Sequence, residues 1–315
     1  MKILYGINAT VNGHITKSCH LINAIEAKHH QVDILISGKN TNIKIEKPVK
    51  FDFKGFTFEY KSGSIDLVKT FRNLDIISFF KDIKINLDTY DYIITDFEPV
   101  SAWAAKLSNK KSFGISHQYS FFSDKVPLPK KKSPISQFFI KNYAPVHTPI
   151  GLHFETYDNS IFLPIVRNEI LKGNNKNTGH VTIYLPGYSA EYLVNFFSKF
   201  DREIHIFSNI STCNKTEKIK CFKISNDAFT KSLLECDTII TGAGFETPSE
   251  ALYLGKKLIS IPLKNQWEQL ANAAALNKLG VRIEYELQNI KDLNCSIINW
   301  HWKDPTQDIL MSMGI

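Results

Sequence analysis

Apolar runs alternate with amphipathic stretches along most of the chain, and this pattern predicts strands that alternate with helices. The continuous apolar runs "KILYGIN" (residues 2–8) and "TIITGAG" (residues 238–244) are typical of strands that helices cover on both faces. In "HITKSCHLINAIEAKHH", Ile15, Cys19 and Ile22 recur near helical spacing and predict a helix. The alternation indicates an α/β protein that is built on parallel sheets.

Two stretches of the first half have their own patterns. The run "KFDFKGFTFEY" (residues 50–60) alternates aromatic and polar residues around a glycine, which predicts a pair of short strands or one bent strand. A helix is predicted around residues 64–83, before the strand "YDYIITD" (residues 90–96).

The alternation pauses once, around residues 150–167, and restarts with the strand-like run "HVTIYLPG" (residues 180–187). A chain of 315 residues has room for two domains. We therefore predict two doubly wound Rossmann-like domains, residues 1–163 and 164–315. Sheets of this kind bind ligands beyond the carboxyl ends of their strands, and two facing sheets form a cleft that can hold a site.

Composition narrows the class of protein. The chain is 43% apolar and 22% charged, which is typical of a soluble globular protein, and no window approaches ~20 uninterrupted apolar residues. The net charge of +7 comes almost entirely from lysine, and no nucleic-acid-binding module is present, so we expect no nucleic-acid partner. The five cysteines are scattered and never form C-x-x-C, so we expect reduced thiols, no metal site and a cytoplasmic protein.

Three adjacent lysines precede an apolar and aromatic stretch in "KVPLPKKKSPISQFFIKNYAP" (residues 125–145). This combination suits a peripheral surface that touches an anionic membrane. It equally suits an ordinary basic loop before a helix that faces the core.

The most informative polar residues follow the strand "TIITGAG". Thr247, Pro248 and Glu250 match a helix start, with Thr247 as N-cap and Glu250 in the capping-box position. The preceding glycines, Gly242 and Gly244, would let a ligand approach the backbone, and free N–H groups at a helix start favour phosphate. Glu250 therefore either caps this helix or accepts hydrogen bonds from a ribose diol.

A second polar loop, residues 264–269, follows the next strand. Asn265 is predicted to cap the helix that follows, with Glu268 in the capping-box position, while Gln269 supplies an amide that no cap requires. Since the two strands are neighbours in sequence, we expect the two polar loops to lie side by side on one rim of the sheet.

The stretch "GAGFETPSEALYLGKKLISIPLKNQWEQLANAAALNKLGV" resembles the donor-binding signature of inverting GT-B glycosyltransferases, among them the peptidoglycan N-acetylglucosaminyltransferase that acts on a lipid-linked sugar and the UDP-glycosyltransferases. A weaker likeness, "NGHITKS", lies in the first half. The resemblance implies a GT-B fold, with a final helix near residues 304–313 that packs back on the first domain. It also implies a nucleotide-sugar donor, with UDP as the expected nucleotide, and a glycan or lipid-linked acceptor.

The resemblance also implies roles for single residues. Glu250 would hold the ribose hydroxyls, whereas Glu268 and Gln269 would bind the sugar. The remaining donor residues would line the diphosphate and the base: Gly187, Ile224, Gly242, Gly244, Phe245 and Thr247.

The catalytic base implied by the same comparison is His14, at the start of the first helix, where a neutral imidazole can take the proton of the acceptor hydroxyl. Asp96 would orient His14, or it would only cap the helix that starts near Pro99. His117 would contact the acceptor together with Gly13, or it would only close a turn. No D-x-D motif stands in a metal-binding context, so we expect neither a metal nor another cofactor.

Two other functions remain open at this point. One is a non-hydrolysing nucleotide-sugar 2-epimerase on the same scaffold, which would require further carboxylates and basic residues in the cleft. The other is a nucleotide-sugar-binding protein that has lost catalysis.

Overall fold

Two parallel sheets organise the chain. The computed structural model describes residues 1–10, 12–38, 45, 47–55, 60–61, 64–65, 76–129, 133–209 and 217–315. The first sheet has seven strands in the order β3-β2-β1-β6-β7-β8-β9, and every neighbouring pair is parallel. Its strands are β1 Lys2–Asn8, β2 Gln31–Ser37, β3 Val49–Phe53, β6 Tyr92–Asp96, β7 Ser112–Ser116, β8 Thr148–Leu152 and β9 Ile161–Phe162. A separate antiparallel pair joins β4 Tyr60–Lys61 to β5 Ser64–Ile65.

The second sheet has six parallel strands in the order β12-β11-β10-β13-β14-β15. They are β10 Val181–Tyr184, β11 Ile204–Ser208, β12 Ile219–Lys223, β13 Thr238–Thr241, β14 Lys257–Ser260 and β15 Arg282–Ile283. The two sheets confirm the prediction of two Rossmann-like α/β halves.

Helices connect the strands in both halves. In the first half they are Asn12–Ala27, Ile76–Asp82, Pro99–Leu107, His117–Ser120 and Pro134–Tyr143. After it come Asn168–Leu171, Ala190–Phe197, Asn226–Glu235, Glu246–Tyr253, Trp267–Lys278, a 3-10 turn Leu287–Asn289 and Thr306–Met313.

Helix Pro99–Leu107, which follows β6, packs closely on β1. A Cβ added at Gly6 would lie 2.0 Å from Oγ of Ser101, so only glycine lets this helix approach the strand. Ile7 of β1 stands opposite Asp96 of β6, which brings the carboxyl ends of the two strands together. The loops that follow them therefore share one edge of the sheet.

The C-terminal segment ties the end of the chain to the first half. Nε2 of His20 lies 3.0 Å from Oγ1 of Thr306, and the indole N–H of Trp300 donates to the carbonyl of Phe154 (2.8 Å). Ile309 and Met313 join the same hydrophobic cluster as residues of both sheets. One apolar cluster is thus shared by the two halves.

The structure corrects two predictions. Residues 64–65 form a strand and not the start of a helix, because they pair with residues 60–61, while residues 66–75 lie outside the described residues. The prediction for the aromatic run, a pair of short strands or one bent strand, stays a prediction, because residues 50–53 belong to β3 and Tyr60 to β4 while residues 56–59 lie outside the described part. Cys221 is in a disulfide, so the expectation of five reduced cysteines is wrong for this residue.

Both predicted helix caps in the donor motif are also wrong. Helix Glu246–Tyr253 has Phe245 at its N-cap, and helix Trp267–Lys278 has Gln266 there; neither N-cap makes a side-chain hydrogen bond to its helix. Thr247 therefore lies inside its helix, and Asn265 precedes the cap. The helices start one or two residues away from the sites that local capping rules favour.

Candidate functional site

His14 and Asp96 meet at the carboxyl edge of the first sheet. His14 lies in the first turn of helix Asn12–Ala27, which follows β1, and Asp96 is the last residue of the neighbouring strand β6. Nδ1 of His14 is 2.8 Å from Oδ1 of Asp96. The side chain of His14 is 14% exposed, whereas Asp96 is fully buried. The strand thus presents a carboxylate to a ring whose other nitrogen has no hydrogen-bond partner among the described residues.

Asp96 is held as an anion in spite of its burial. Burial alone would raise the pKa of this carboxyl, but the charges of His14 and Lys17 and their hydrogen bonds bring it below its ordinary value. Asp96 does not cap the following helix, because Glu98 accepts the hydrogen bonds from the backbone N–H groups of Val100 (2.6 Å) and Ser101 (2.7 Å). The N-cap alternative for Asp96 is therefore wrong.

Glu250 is paired with Arg167, the residue before the short helix Asn168–Leu171. Nε of Arg167 donates to Oε1 of Glu250 (2.5 Å), and Nη2 donates to Oε2 (3.0 Å). Nη1 of the same guanidinium donates to the side-chain carbonyl of Asn226 (2.7 Å). Burial raises the pKa of Glu250, and the Arg167 charge opposes that shift. Glu250 therefore makes a bidentate ion pair, not the capping contact that local rules predict.

The glycine turn and the second polar loop lie side by side. Oε1 of Gln269 accepts a hydrogen bond from the backbone N–H of Leu263 (3.0 Å), and it lies 3.2 Å from the place where Gly242 would carry a Cβ. A Cβ at Gly244 would have no atom within 4 Å, so the backbone there borders open space. The structure thus brings Gly242 and Gln269 together, as the strand order requires.

The other predicted donor residues are more spread out. Oε2 of Glu268 lies 3.4 Å from the side-chain amide nitrogen of Gln118, so Glu268 faces the first half of the chain. Gly187 is exposed after β10, and the backbone N–H of Ile224 already donates to the carbonyl of Ser208 (3.0 Å). Gly13 lies in the first turn of helix Asn12–Ala27.

His117 is buried between the two halves. Its Nδ1 lies 2.8 Å from the carbonyl of Leu152, and its Nε2 lies 2.7 Å from Oδ1 of Asn272 in the second half. The ring stacks on Phe245 with centroids 4.0 Å apart. Burial lowers the pKa of His117. Both ring nitrogens lie within hydrogen-bond distance of protein atoms, and Asn272 and Phe245 belong to the second half. His117 therefore contributes to the contact between the halves.

A family model described as "Glycosyl transferase family 1" matches residues 1–299. The chain belongs to this glycosyltransferase family. Among proteins with curated functions, none matches the chain.

Solved structures show that this glycosyltransferase has the GT-B fold that the sequence predicts. The glycotransferase of kitacinnamycin superposes with a TM-score of 0.61 at 13% identity, over 99% of this chain and 93% of that one. UGT89C1 of Arabidopsis thaliana, solved with UDP, gives 0.60 at 12% identity, over 90% and 85%. MurG of Acinetobacter baumannii gives 0.55 at 13% identity, over 100% and 91%.

Four polar residues at the site of this glycosyltransferase were not identified as site residues from the sequence. Lys17 and Ser18 both bind Asp96, and their spacing of three and four residues from His14 is a helical signal that could have revealed them. Burial raises the pKa of Glu246, and electrostatic interaction with Lys17 and His14 opposes that rise. Arg167 lies far from the motif that it joins, and no local pattern marks it.

Among the residues that the structure describes, no three His, Cys, Asp or Glu side chains come together in a way that could hold a metal ion. No described helix has the length and the apolar character that crossing a membrane requires.

Proposed function

We propose that this glycosyltransferase transfers a sugar from a nucleotide-sugar to an acceptor hydroxyl with inversion at the anomeric carbon. The observation that supports this proposal most is the 2.8 Å contact between Nδ1 of His14 and Asp96. A carboxylate that accepts from Nδ1–H leaves the lone pair on Nε2, which can then act as a general base.

In the proposed step, the acceptor oxygen attacks the anomeric carbon while the bond from that carbon to the diphosphate oxygen breaks. The hydroxyl proton passes to Nε2 of His14, and the bonding electrons leave with the diphosphate. The open space at Gly244, at the start of helix Glu246–Tyr253, suits the diphosphate, because the free N–H groups of a helix start attract anions. We propose that no metal takes part, and EDTA should then leave the rate unchanged.

For the donor, we assign the ribose to Glu250 and the sugar hydroxyls to Glu268 and Gln269. Arg167 occupies two of about four acceptor positions of the Glu250 carboxylate. The ribose diol would use the remaining positions. UDP is the expected nucleotide, in keeping with the UDP bound by UGT89C1. We assign His117 to the contact between the halves and not to the acceptor.

A histidine substitution tests the catalytic assignment. His14→Ala should abolish transfer while nucleotide-sugar binding persists, because the base does not hold the donor. His20→Ala is the matched control: His20 lies on the same helix but faces Thr306, so this variant should keep its activity. If the wild type binds a nucleotide-sugar but neither transfers nor hydrolyses it, a binding protein is the better assignment. Exchange of the sugar C2 proton with solvent would instead indicate an epimerase.

A glycine pair tests the donor site. A Cβ at Gly244 fits into open space, so Gly244→Ala should keep the stability of the free protein and weaken nucleotide binding. Gly242→Ala would press on Gln269, so it should also disturb the unliganded loop. Calorimetric titration with UDP measures both effects. Unchanged affinity in Gly244→Ala would contradict the placement of the diphosphate.

The second candidate property is contact with an anionic membrane. Lys130, Lys131 and Lys132 lie outside the described residues, but helix Pro134–Tyr143 has no buried residue, and Ile135 and Phe138 are 68% and 65% exposed. Such a face suits insertion between lipid headgroups.

Sedimentation with phosphatidylglycerol vesicles at low salt tests this contact. Phe138→Glu should reduce pelleting. Ile297→Glu, at an exposed apolar position of the second half, should not reduce it. Absence of pelleting in the wild type would contradict the membrane contact.

A further inference from the structure

The carboxylate of Asp96 is shared among three side chains of one helical turn. Oδ1 accepts from Nδ1 of His14 (2.8 Å) and from Nζ of Lys17 (2.7 Å), while Oδ2 accepts from Oγ of Ser18 (2.8 Å). Residues three and four apart lie on the same face of a helix, so the sequence H-x-x-K-S presents all three donors to one point. His14 and Lys17 thus compete for the same oxygen atom.

Because this cluster is buried, the negative charge of Asp96 needs a nearby positive charge. Lys17 and Asp96 are both buried, and only His14 reaches the cleft. With a neutral His14, the Lys17 ammonium balances the Asp96 carboxylate. Without Lys17, the carboxylate would face the imidazole alone, and an unbalanced buried anion favours a protonated ring. A protonated ring cannot take a proton from an acceptor.

Other titratable groups face the cluster as well. Glu246, at the helix start of the second half, interacts electrostatically with Lys17, His14, Asp96 and Arg167, and burial raises its pKa. His117 interacts electrostatically with Lys17, and Tyr5 and Tyr119 with Asp96. Lys17 is therefore the cation in hydrogen-bond contact with the Asp96 carboxylate beside the imidazole.

We propose that Lys17 is a positioning residue for the His14 base: by sharing Oδ1 of Asp96, it keeps the imidazole neutral and thereby sets the lowest pH at which the enzyme is active. This proposal rests on the proposed role of His14 as base. Lys17 also has an opposing effect, because a His14 that shares Asp96 with a cation is a weaker base. With Lys17 present, the base is weaker, but a larger fraction of it is neutral near neutral pH.

The test follows the His14 ring by NMR in protein labelled with ¹³C-histidine, with His14→Gln to assign the signal. In Lys17→Met, the midpoint of the His14 titration should move up by about one pH unit or more. Lys17→Gln keeps a hydrogen-bond donor without the charge and should move it in the same direction. If Lys17→Met does not fold, Lys17→Gln decides the question.

Two controls separate charge from structure. Lys17→Arg keeps the cation, and Ser18→Ala removes only a neutral donor from the same carboxylate. Both should leave the midpoint within a few tenths of a pH unit of the wild type. An unchanged midpoint in the folded Met or Gln variant would overturn the proposal, and so would an equal shift in Lys17→Arg.

The kinetic readout should agree with the NMR readout. In Lys17→Met, the acid limb of kcat/KM should move to higher pH by the same amount, whereas a purely structural role would lower the rate at every pH. The NMR titration needs no substrate. A shifted midpoint without any sugar transfer would therefore refute the proposed function and leave the role of Lys17 in the cluster standing.

Discussion

Replacement of Asp96 by asparagine would remove the charge that holds the buried Lys17. Asparagine keeps the shape of the side chain and an oxygen that can accept from His14 or Ser18. The Lys17 ammonium, however, would remain buried without an ion-pair partner, since Asp96 is its only one among the described residues. The variant therefore isolates the cost of one unbalanced buried charge.

The expected magnitude follows from that imbalance. Removal of one partner from a buried ion pair costs about 3–5 kcal/mol, which corresponds to a fall in Tm on the order of 10 °C. Removal of both charges in Lys17→Met/Asp96→Asn should restore most of this loss, because no uncompensated ion remains. The coupling between the two substitutions should be about 2 kcal/mol or more.

Urea unfolding at pH 7, followed by circular dichroism, would measure the free energy of unfolding of the four proteins in this cycle. Burial alone would raise the pKa of Asp96, but His14 and Lys17 hold it below its ordinary value. The stabilisation is therefore present above the unfolded carboxyl value near pH 4 and is lost as the pH falls through the lower folded value. The gap between the wild type and Asp96→Asn should close in that range. An Asp96→Asn variant within about 0.5 kcal/mol of the wild type at pH 7, or a double variant no more stable than it, would refute the reasoning.

Three other predictions concern the rest of the site. Glu250→Gln should weaken UDP binding about tenfold or more in calorimetry, because it removes a charged acceptor for the ribose; equal affinity would contradict the ribose assignment. His117→Ala should lower the free energy of urea unfolding by about 2–4 kcal/mol, because it removes the stack on Phe245 and the contact with Asn272 in the second half, together with the contact with Leu152 inside the first half; a loss below about 0.5 kcal/mol would argue against that role. The ring centroid of the buried His153 lies 5.0 Å from that of His117, and burial lowers the pKa of His153 well below its ordinary value, so the folded ring stays neutral while the unfolded ring takes up a proton below about pH 6.5. The stability should therefore fall from pH 6.5 to pH 5 by up to about 1.4 kcal/mol per pH unit, and His153→Gln should show a flatter dependence; an equal slope in the two proteins would contradict this.

The fold could be predicted from the sequence because continuous apolar strands leave few alternatives to a parallel sheet between helices. The same logic placed Gly242 beside Gln269, since the ends of neighbouring parallel strands share one edge. Helix starts were less predictable. Thr247 satisfies the local rules for an N-cap, but the N-cap is Phe245 and the helix begins at Glu246, two residues before the start that a cap at Thr247 implies. The ion pair with Arg167 then takes Glu250 away from its local capping role.

Two of the three predicted carboxylates, Asp96 and Glu250, pair with a cation that the sequence analysis did not identify. A buried carboxylate is stable only with a partner, so the prediction of a buried acidic residue implies a search for its counter-ion. For Asp96 that search was feasible, because Lys17 follows His14 at the spacing of one helical turn. For Glu250 it was not, because Arg167 lies 83 residues away, before the second sheet begins. Local motifs can therefore name the acidic members of such a site, but only the assembled fold shows which cations determine their charge state.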